Sequence, residues 1–546
     1  MLPKRIAERL FRPVDIAALA MFRILFGLLM AGAMVRFLAK GWVESLFLEP
    51  AFHFPWVSWI QPWPGNWMYV HVGVLAVLAL MMAAGFCYRL SAALFFAGFT
   101  YLEFIDRTTY LNHYYLVTLL SGLLVFLPAH RAWSVDAWLN PRWRADTAPA
   151  WTLYVLRFQL GVVYFFAGLA KLNADWLFAA QPMRTWLMAK SDLPVIGAWL
   201  AEPWVAYAAS WCGALYDLSI PFLLLCARTR PFAYAAVIAF HVLTAVLFPI
   251  GMFPWVMIVA TLVFFPPDFA RKCSVFSVQC SVEKGARRDS ADPRPLPSPV
   301  ALTLLGAYCV LQIALPARSW FYPQQGAWDG RGFNFAWRVM LVEKTGHVEL
   351  YAVNPEEEGA VSLADRGCPQ PQRAAGEGGM EGSPGGVCVW CRTGMTSKSV
   401  HCPGCILSAA AGDSRGPKRE RIALERYITP RQRMMMAQDP HLIRLLAQHV
   451  ARDRGDGWEI HAEAFATLNG RRSQRLVRED VNLAGALTED WVVALNQDAS
   501  QAPNAIPLLG GARGGFVASL AHDSRPTRQP IPPLPKERAG VRGRKR

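Results

Sequence analysis

Two residues at the ends of apolar runs carry the chemistry in this sequence: a lysine and a histidine. Lys171 closes the run 153–172 and is followed by a polar, aromatic edge, Leu172-Asn173-Ala174-Asp175-Trp176. A bilayer-crossing helix needs ~20 mostly apolar residues, so the lysine sits near the end of a span. Position alone leaves two readings open. In one the lysine snorkels, its stem among lipid tails and its ammonium among headgroups. In the other, burial in a helix bundle favours the neutral amine, which can act as a general base. Asn112-His113 opens another apolar run and reads either as an N-cap with an interfacial histidine or as a pair that stabilises developing negative charge. His241 lies inside a third run, where a lone histidine is more often a satisfied core group. Finally, Cys388-Val389-Trp390-Cys391 and Cys402-Pro403-Gly404-Cys405 form two paired-cysteine knuckles. Four thiolates would satisfy a structural zinc, although the spacer is short and an oxidising compartment would favour disulfides.

The elements that must position these residues are membrane helices. The chain has 546 residues, 53% of them hydrophobic, with mean hydropathy +0.22 and 21 Trp, too apolar for an ordinary soluble protein. A net charge of +15 invites a nucleic-acid reading, but no basic run is interleaved with aromatics as such binding requires. Loops flanking spans and a basic tail explain the excess. The composition predicts a polytopic α-helical membrane protein of eight or nine spans in residues 1–316. Apolar runs fall at about 13–38, 67–84, 89–106, 113–128, 153–172, 204–226, 230–248 and 300–315. A Pro249-Ile250-Gly251-Met252-Phe253 break leads into one more apolar run, the pattern of a broken helix lining a cavity at membrane depth. Arg23 and Asp217 are charges inside spans and need internal partners. Residues 41–66, rich in Trp, Pro and Phe, read as an interfacial or re-entrant loop. From 317 to 502 the composition is that of a smaller, mostly β, soluble C-terminal domain, with a helical stretch at 439–452 and an Asn469-Gly470 hairpin turn. A Gly-, Pro- and Arg-rich insert at 356–421 interrupts it, and a disordered basic tail, 503–546, follows.

The run at Lys171 resembles the matching helix of the vitamin K-dependent γ-glutamyl carboxylases, an integral-membrane family whose membrane region is also called the HTTM domain. Ala167, Gly168, Lys171, Leu172, Ala174, Asp175 and Trp176 carry the likeness. It begins at Pro13-Val14-Asp15 and continues in the Asp106-Arg107-Thr108 to Asn112-His113 segment, in Trp133-Ser134-Val135-Asp136, and in the entry to the C-terminal domain, Trp328 to Met340. The resemblance implies Lys171, His113 and Asn112 as catalytic residues, and His241, Asp175 and Trp176 as residues binding the cofactor. It implies reduced vitamin K as cofactor, O2 and CO2 as co-substrates, and a glutamate-containing peptide or protein as substrate. The resulting expectation is carboxylation of peptide glutamate coupled to quinol epoxidation, in a carbon–carbon lyase. Alternatives are a quinol oxygenase without peptide carboxylation and a non-catalytic membrane carrier. The lipid bilayer is the expected surrounding, the inner membrane in a bacterial cell, and the basic N-terminus places the C-terminal domain outside the cytoplasm if nine spans are present.

Overall fold

The structure, a computed structural model, describes residues 4–273, 299–322, 326–354, 419–486 and 490–496. Each expected apolar run folds as a helix. Ala17–Ala39, Trp67–Ala84, Trp151–Ala170, Pro203–Leu225, Arg230–Leu247 and a helix within Leu302–Phe321 are long and apolar enough to cross a membrane. Tyr88–Ile105 has 18 residues but carries Arg89 and Glu103, and Asn112–Phe126 and Phe253–Phe264 are shorter. The broken helix is present: Arg230–Leu247 ends, Gly251 adopts φ +62°, and the chain resumes at Phe253. A left-handed backbone costs glycine nothing, which lets the chain turn here. The multi-pass helical architecture read from the sequence is the one observed.

The costly charge at Arg23 is answered by backbone. Its guanidinium is fully buried and donates to the carbonyls of Ala129 at 2.7 Å, Ala132 at 3.2 Å and Trp133, on the loop after Asn112–Phe126. Asp136, on the short helix Val135–Leu139 that follows, accepts from the N–H groups of Cys87 and Tyr88 and so holds the start of Tyr88–Ile105. Buried charges of this kind persist only when hydrogen-bonded.

The C-terminal part has its own core. An antiparallel sheet runs Glu420–Arg421, Lys344–Val353, Glu459–Leu468, Gln474–Arg475 in spatial order. Alternate residues of Glu459–Leu468 are buried, as period-2 side chains on a half-covered sheet must be. Helix Pro440–Arg454 covers that face with Leu442, Ile443, Leu446 and Val450, at helical spacing. Leu468-Asn469-Gly470-Arg471 is a tight turn closed by Arg471 N–H to Leu468 O at 3.1 Å, with Asn469 and Gly470 both at positive φ. Lys344–Val353 is entered through Trp328–Leu341, which is not strand: Phe335, Trp337 and Met340 all adopt left-handed φ between +48° and +59°.

Three contacts seat this part on the helices. Gln432 Nε2 donates to Asp106 Oδ2 at 2.7 Å and to Phe52 O at 2.9 Å, so the 41–66 loop is a bridge between the two parts as well as an aromatic surface. Trp337 stacks on Tyr115 with ring centroids 4.9 Å apart. Arg471, on the hairpin turn, makes a two-pronged ion pair with Asp175, at 2.6 and 2.7 Å.

Candidate active site

Lys171 does not reach outward. Helix Trp151–Ala170 ends at it, and Asn173 then ties the end down by donating to Ala170 O and accepting from Trp176 N–H. The lysine is 6% exposed; its Nζ turns back to Ala167 O at 3.2 Å and meets Asp217 Oδ2 at 2.7 Å. Trp176, itself buried and donating from Nε1 to Ser210 O, lies with its ring centroid 5.3 Å from the ammonium. Asp217 arrives from helix Pro203–Leu225, and Gly168 is the reason it arrives so close. A Cβ on Gly168 would stand 2.8 Å from Leu218 N, a distance no real contact shows. Asp217, the second charge that needed a partner, thus finds it in Lys171.

The pair opens into a cavity of about 320 Å³ among the helices. Its lining is aliphatic and aromatic apart from Lys171, Asp217, His241, Thr244, Cys212 and the tyrosines Tyr164 and Tyr216. His241 is 1% exposed; its Nε2 lies 3.2 Å from Tyr164 Oη, and its Nδ1 has no hydrogen-bond partner. Trp176 lines this cavity too. Asp175 has a different place: both its oxygens are taken by Arg471 and one also by Asn469 Nδ2 at 2.7 Å. Burial alone would raise the Asp175 carboxyl, but those hydrogen bonds outweigh it and hold it below the usual range.

A second cavity, about 350 Å³, lies between the helices and the C-terminal part. Asn112 and His113 line it, with Arg107, Arg338, Lys344, Asp439 and His441. Asn112 is not an N-cap: Leu111 holds that position, while the Asn112 side chain accepts from Tyr110 Oη at 3.3 Å and donates to Arg338 O at 3.4 Å. His113 is 8% exposed with its ring 6.0 Å from that of Phe253, and on the other side Phe253 lies 5.7 Å from the ring of His241. Phe253, Ile250, Val339 and Met340 line both cavities. The structure therefore brings Lys171, Trp176 and His241 to one chamber and Asn112 and His113 to the other, sharing one wall. Burial lowers the Lys344 ammonium to about 8, and its donors are committed to the carbonyls of Trp328 and Gln438. Asp217, Arg338 and Arg471 are the residues that motif reading passed over or left unassigned. The unsatisfied charge inside a span was the one signal, and it pointed only to Asp217.

The helical part matches the model of the HTTM domain over residues 11–269, and the chain then matches that of the vitamin K-dependent gamma-carboxylase lumenal domain over residues 297–375. The chain belongs to the vitamin K-dependent γ-carboxylase family. No solved structure matches it. As a multi-pass γ-carboxylase family member it has a carboxylase-like function, and the family implies use of reduced vitamin K, O2 and CO2. The chamber at Lys171 fits such a quinol on its own terms. An apolar slot suits an isoprenoid tail, and an orphaned buried imidazole nitrogen beside an ion pair suits ring oxygens. Among the described residues no cluster that would hold a metal ion occurs, and Cys388, Cys391, Cys402 and Cys405 lie outside the described residues.

Proposed function

We propose that this protein carboxylates glutamate side chains of a peptide or protein substrate and couples that step to epoxidation of reduced vitamin K. The observation that carries the reading is the Lys171–Asp217 pair at 2.7 Å, buried in an apolar chamber that abuts a polar one. Reduced vitamin K, on reacting with O2, supplies the strong base that no side chain can, because the γ-hydrogen of glutamate is far too weakly acidic.

The residues have a narrower task. As an ion pair, Lys171 holds its proton and cannot take another. The apolar surroundings penalise separated charges, which favours passage of that proton along the hydrogen bond to Asp217 Oδ2. Lys171 Nζ is then a free amine and accepts the proton of a quinol hydroxyl, leaving an ammonium beside the oxygen it deprotonated and a neutral acid behind it. Trp176 faces the ammonium and limits water around it. In the adjoining chamber His113 and Asn112 stabilise charge that develops on the glutamyl side chain. The shared wall of Ile250, Phe253, Val339 and Met340 keeps bulk water from the chamber where the base is made.

Lys171→Arg separates this role from a purely electrostatic one. Arginine keeps the positive charge next to Asp217 but is not deprotonated in the working pH range. Epoxide formation in Lys171→Arg is expected to fall at least ~100-fold, the lower end of what a positioned base contributes. Near-wild-type turnover at matched levels of folded protein would remove the lysine from the chemistry.

A further inference from the structure

The chamber between the helices and the C-terminal part holds several cations, and all but one are already answered. Asp439 lies near Arg107, Lys344 and His441, and Asp329 adds to the charge around Lys344. Arg107 also donates to Pro55 O at 3.1 Å and lies over the Trp56 ring. Arg338 is the exception. Its Nε is buried without a hydrogen-bond partner, its guanidinium carbon lies 5.8 Å from the Phe333 ring centroid, and it forms no ion pair among the described residues. No acidic side chain among the described residues offsets its desolvation. Arg338 is half-buried, and a partly desolvated cation with no acidic partner is costly, a cost that a ligand carboxylate would offset.

The backbone around it adds a second, independent observation. Phe335, Trp337 and Met340 hold left-handed φ of +59°, +56° and +48°, and none is glycine. Non-glycine residues held this way are strained and cluster at ligand clamps and active sites. The strained segment is pinned at both ends of Arg338: Trp337 stacks on Tyr115, and Asn112 donates to the Arg338 carbonyl. Val339 and Met340, the next two residues, form the wall shared with the Lys171 chamber.

We infer that Arg338 binds the carboxylate of the substrate glutamate side chain and so selects a glutamyl residue at the shared wall. A guanidinium offers two parallel N–H donors to a carboxylate, which fixes its orientation as well as its charge. This deepens the proposed function and rests on it: carboxylate capture here presents the adjacent carbon toward the chamber where the base is formed.

The test uses full-length protein in detergent and two fluorescent peptides identical except for Glu or Gln at one position, with affinity read by anisotropy and KM by fixed labelled bicarbonate. Wild type is expected to prefer the Glu peptide by at least ~10-fold, equivalent to about 1.4 kcal/mol. Arg338→Gln should erase the preference by weakening the Glu peptide alone, and raise KM far more than it lowers kcat. Arg338→Lys should restore part of the preference, since it returns charge without the two-pronged geometry. If Arg338→Gln fails to fold, Arg338→Lys carries the test through an expected several-fold rise in KM. A Glu preference that survives in Arg338→Gln, or an unchanged KM in Arg338→Lys, overturns the inference while leaving carboxylation standing. Wild type that prefers the Glu peptide but fixes no label leaves Arg338 in place and overturns the proposed function instead. A change confined to the bicarbonate requirement, with Glu and Gln affinities untouched, assigns Arg338 to the CO2 co-substrate and also overturns the inference.

Discussion

Lys171 donates a hydrogen bond to Asp217 across 2.7 Å, so neither can be altered alone without stranding the other. Removing one partner of a buried pair leaves an uncompensated charge and costs roughly 3–5 kcal/mol, whereas replacing both with apolar residues of similar volume is often neutral. Lys171→Met alone is therefore expected to lower thermal stability sharply, and Lys171→Met with Asp217→Leu to recover it. Both variants should lack epoxide formation. Thermal unfolding of the three proteins alongside epoxide assays checks this; an active double variant would show that the pair takes no part in the chemistry. Asp217→Asn tests the proton's path. The amide cannot take up a proton along the 2.7 Å hydrogen bond, so the proposed route is closed and epoxide formation is expected to fall ~100-fold or more, as for loss of a general base. Unchanged turnover in Asp217→Asn would mean that the lysine gives up its proton elsewhere.

Helix Trp151–Ala170 meets helix Pro203–Leu225 at Gly168, where there is no room for a Cβ beside Leu218 N. Gly168→Ala must push the two helices apart, and Asp217 precedes Leu218 in the chain. Misplacement of catalytic groups by an ångström costs up to ~100-fold, so epoxide formation in Gly168→Ala is expected to drop roughly 10- to 100-fold with expression retained. Wild-type activity would show that the pair does not depend on this approach. The short helix after Lys171 is anchored from the other side by Asp175 and Arg471. Because the Asp175 carboxyl is held below its ordinary value, it stabilises the fold above ~pH 4, and that contribution disappears as pH falls through the folded value. The difference in unfolding temperature between wild type and Asp175→Asn should accordingly be constant from pH 8 to about pH 5 and vanish on further acidification. A difference that instead grows as pH falls would contradict the latch. The apolar runs, the helix break at Gly251 and the turn at Asn469-Gly470 were legible in the sequence because each is written in local pattern: hydrophobic length, chain breakers and turn chemistry. The lysine–aspartate pair was legible only as two separate costs, since their meeting depends on how closely two helices pack. The Asp175–Arg471 latch and the free charge of Arg338 left no local signal, because each is defined by a partner, or the lack of one, almost 300 residues or a whole cavity away. Asn112 followed the family pattern but not the capping rule, because Leu111 takes the cap position and the amide turns to the Arg338 carbonyl.

Across the whole molecule, a helical part and a sheet-bearing part enclose two chambers with a common wall, and each part contributes to both. The C-terminal sheet also makes the stretch between its first two strands in sequence testable by replacement. Ala352 pairs with Glu420 and Tyr351 with Arg421, so the chain leaves the sheet at Val353 and returns beside the same place. Replacing residues 355–418 with a four-residue hairpin turn is expected to leave thermal stability within ~1 kcal/mol, since closing a shorter loop costs less entropy. Loss of folded, membrane-inserted protein on that replacement would show that the stretch contributes to the fold. The proposed function makes one demand above all: quinol oxidation and glutamate carboxylation must proceed in the same molecule. The direct measurement is to incubate purified protein with reduced vitamin K, O2, labelled bicarbonate and a glutamyl peptide, following epoxide and fixed label separately. The expected result is that both products form and that both disappear together in Lys171→Arg; epoxide with no fixed label, or neither product from folded wild-type protein, would contradict it.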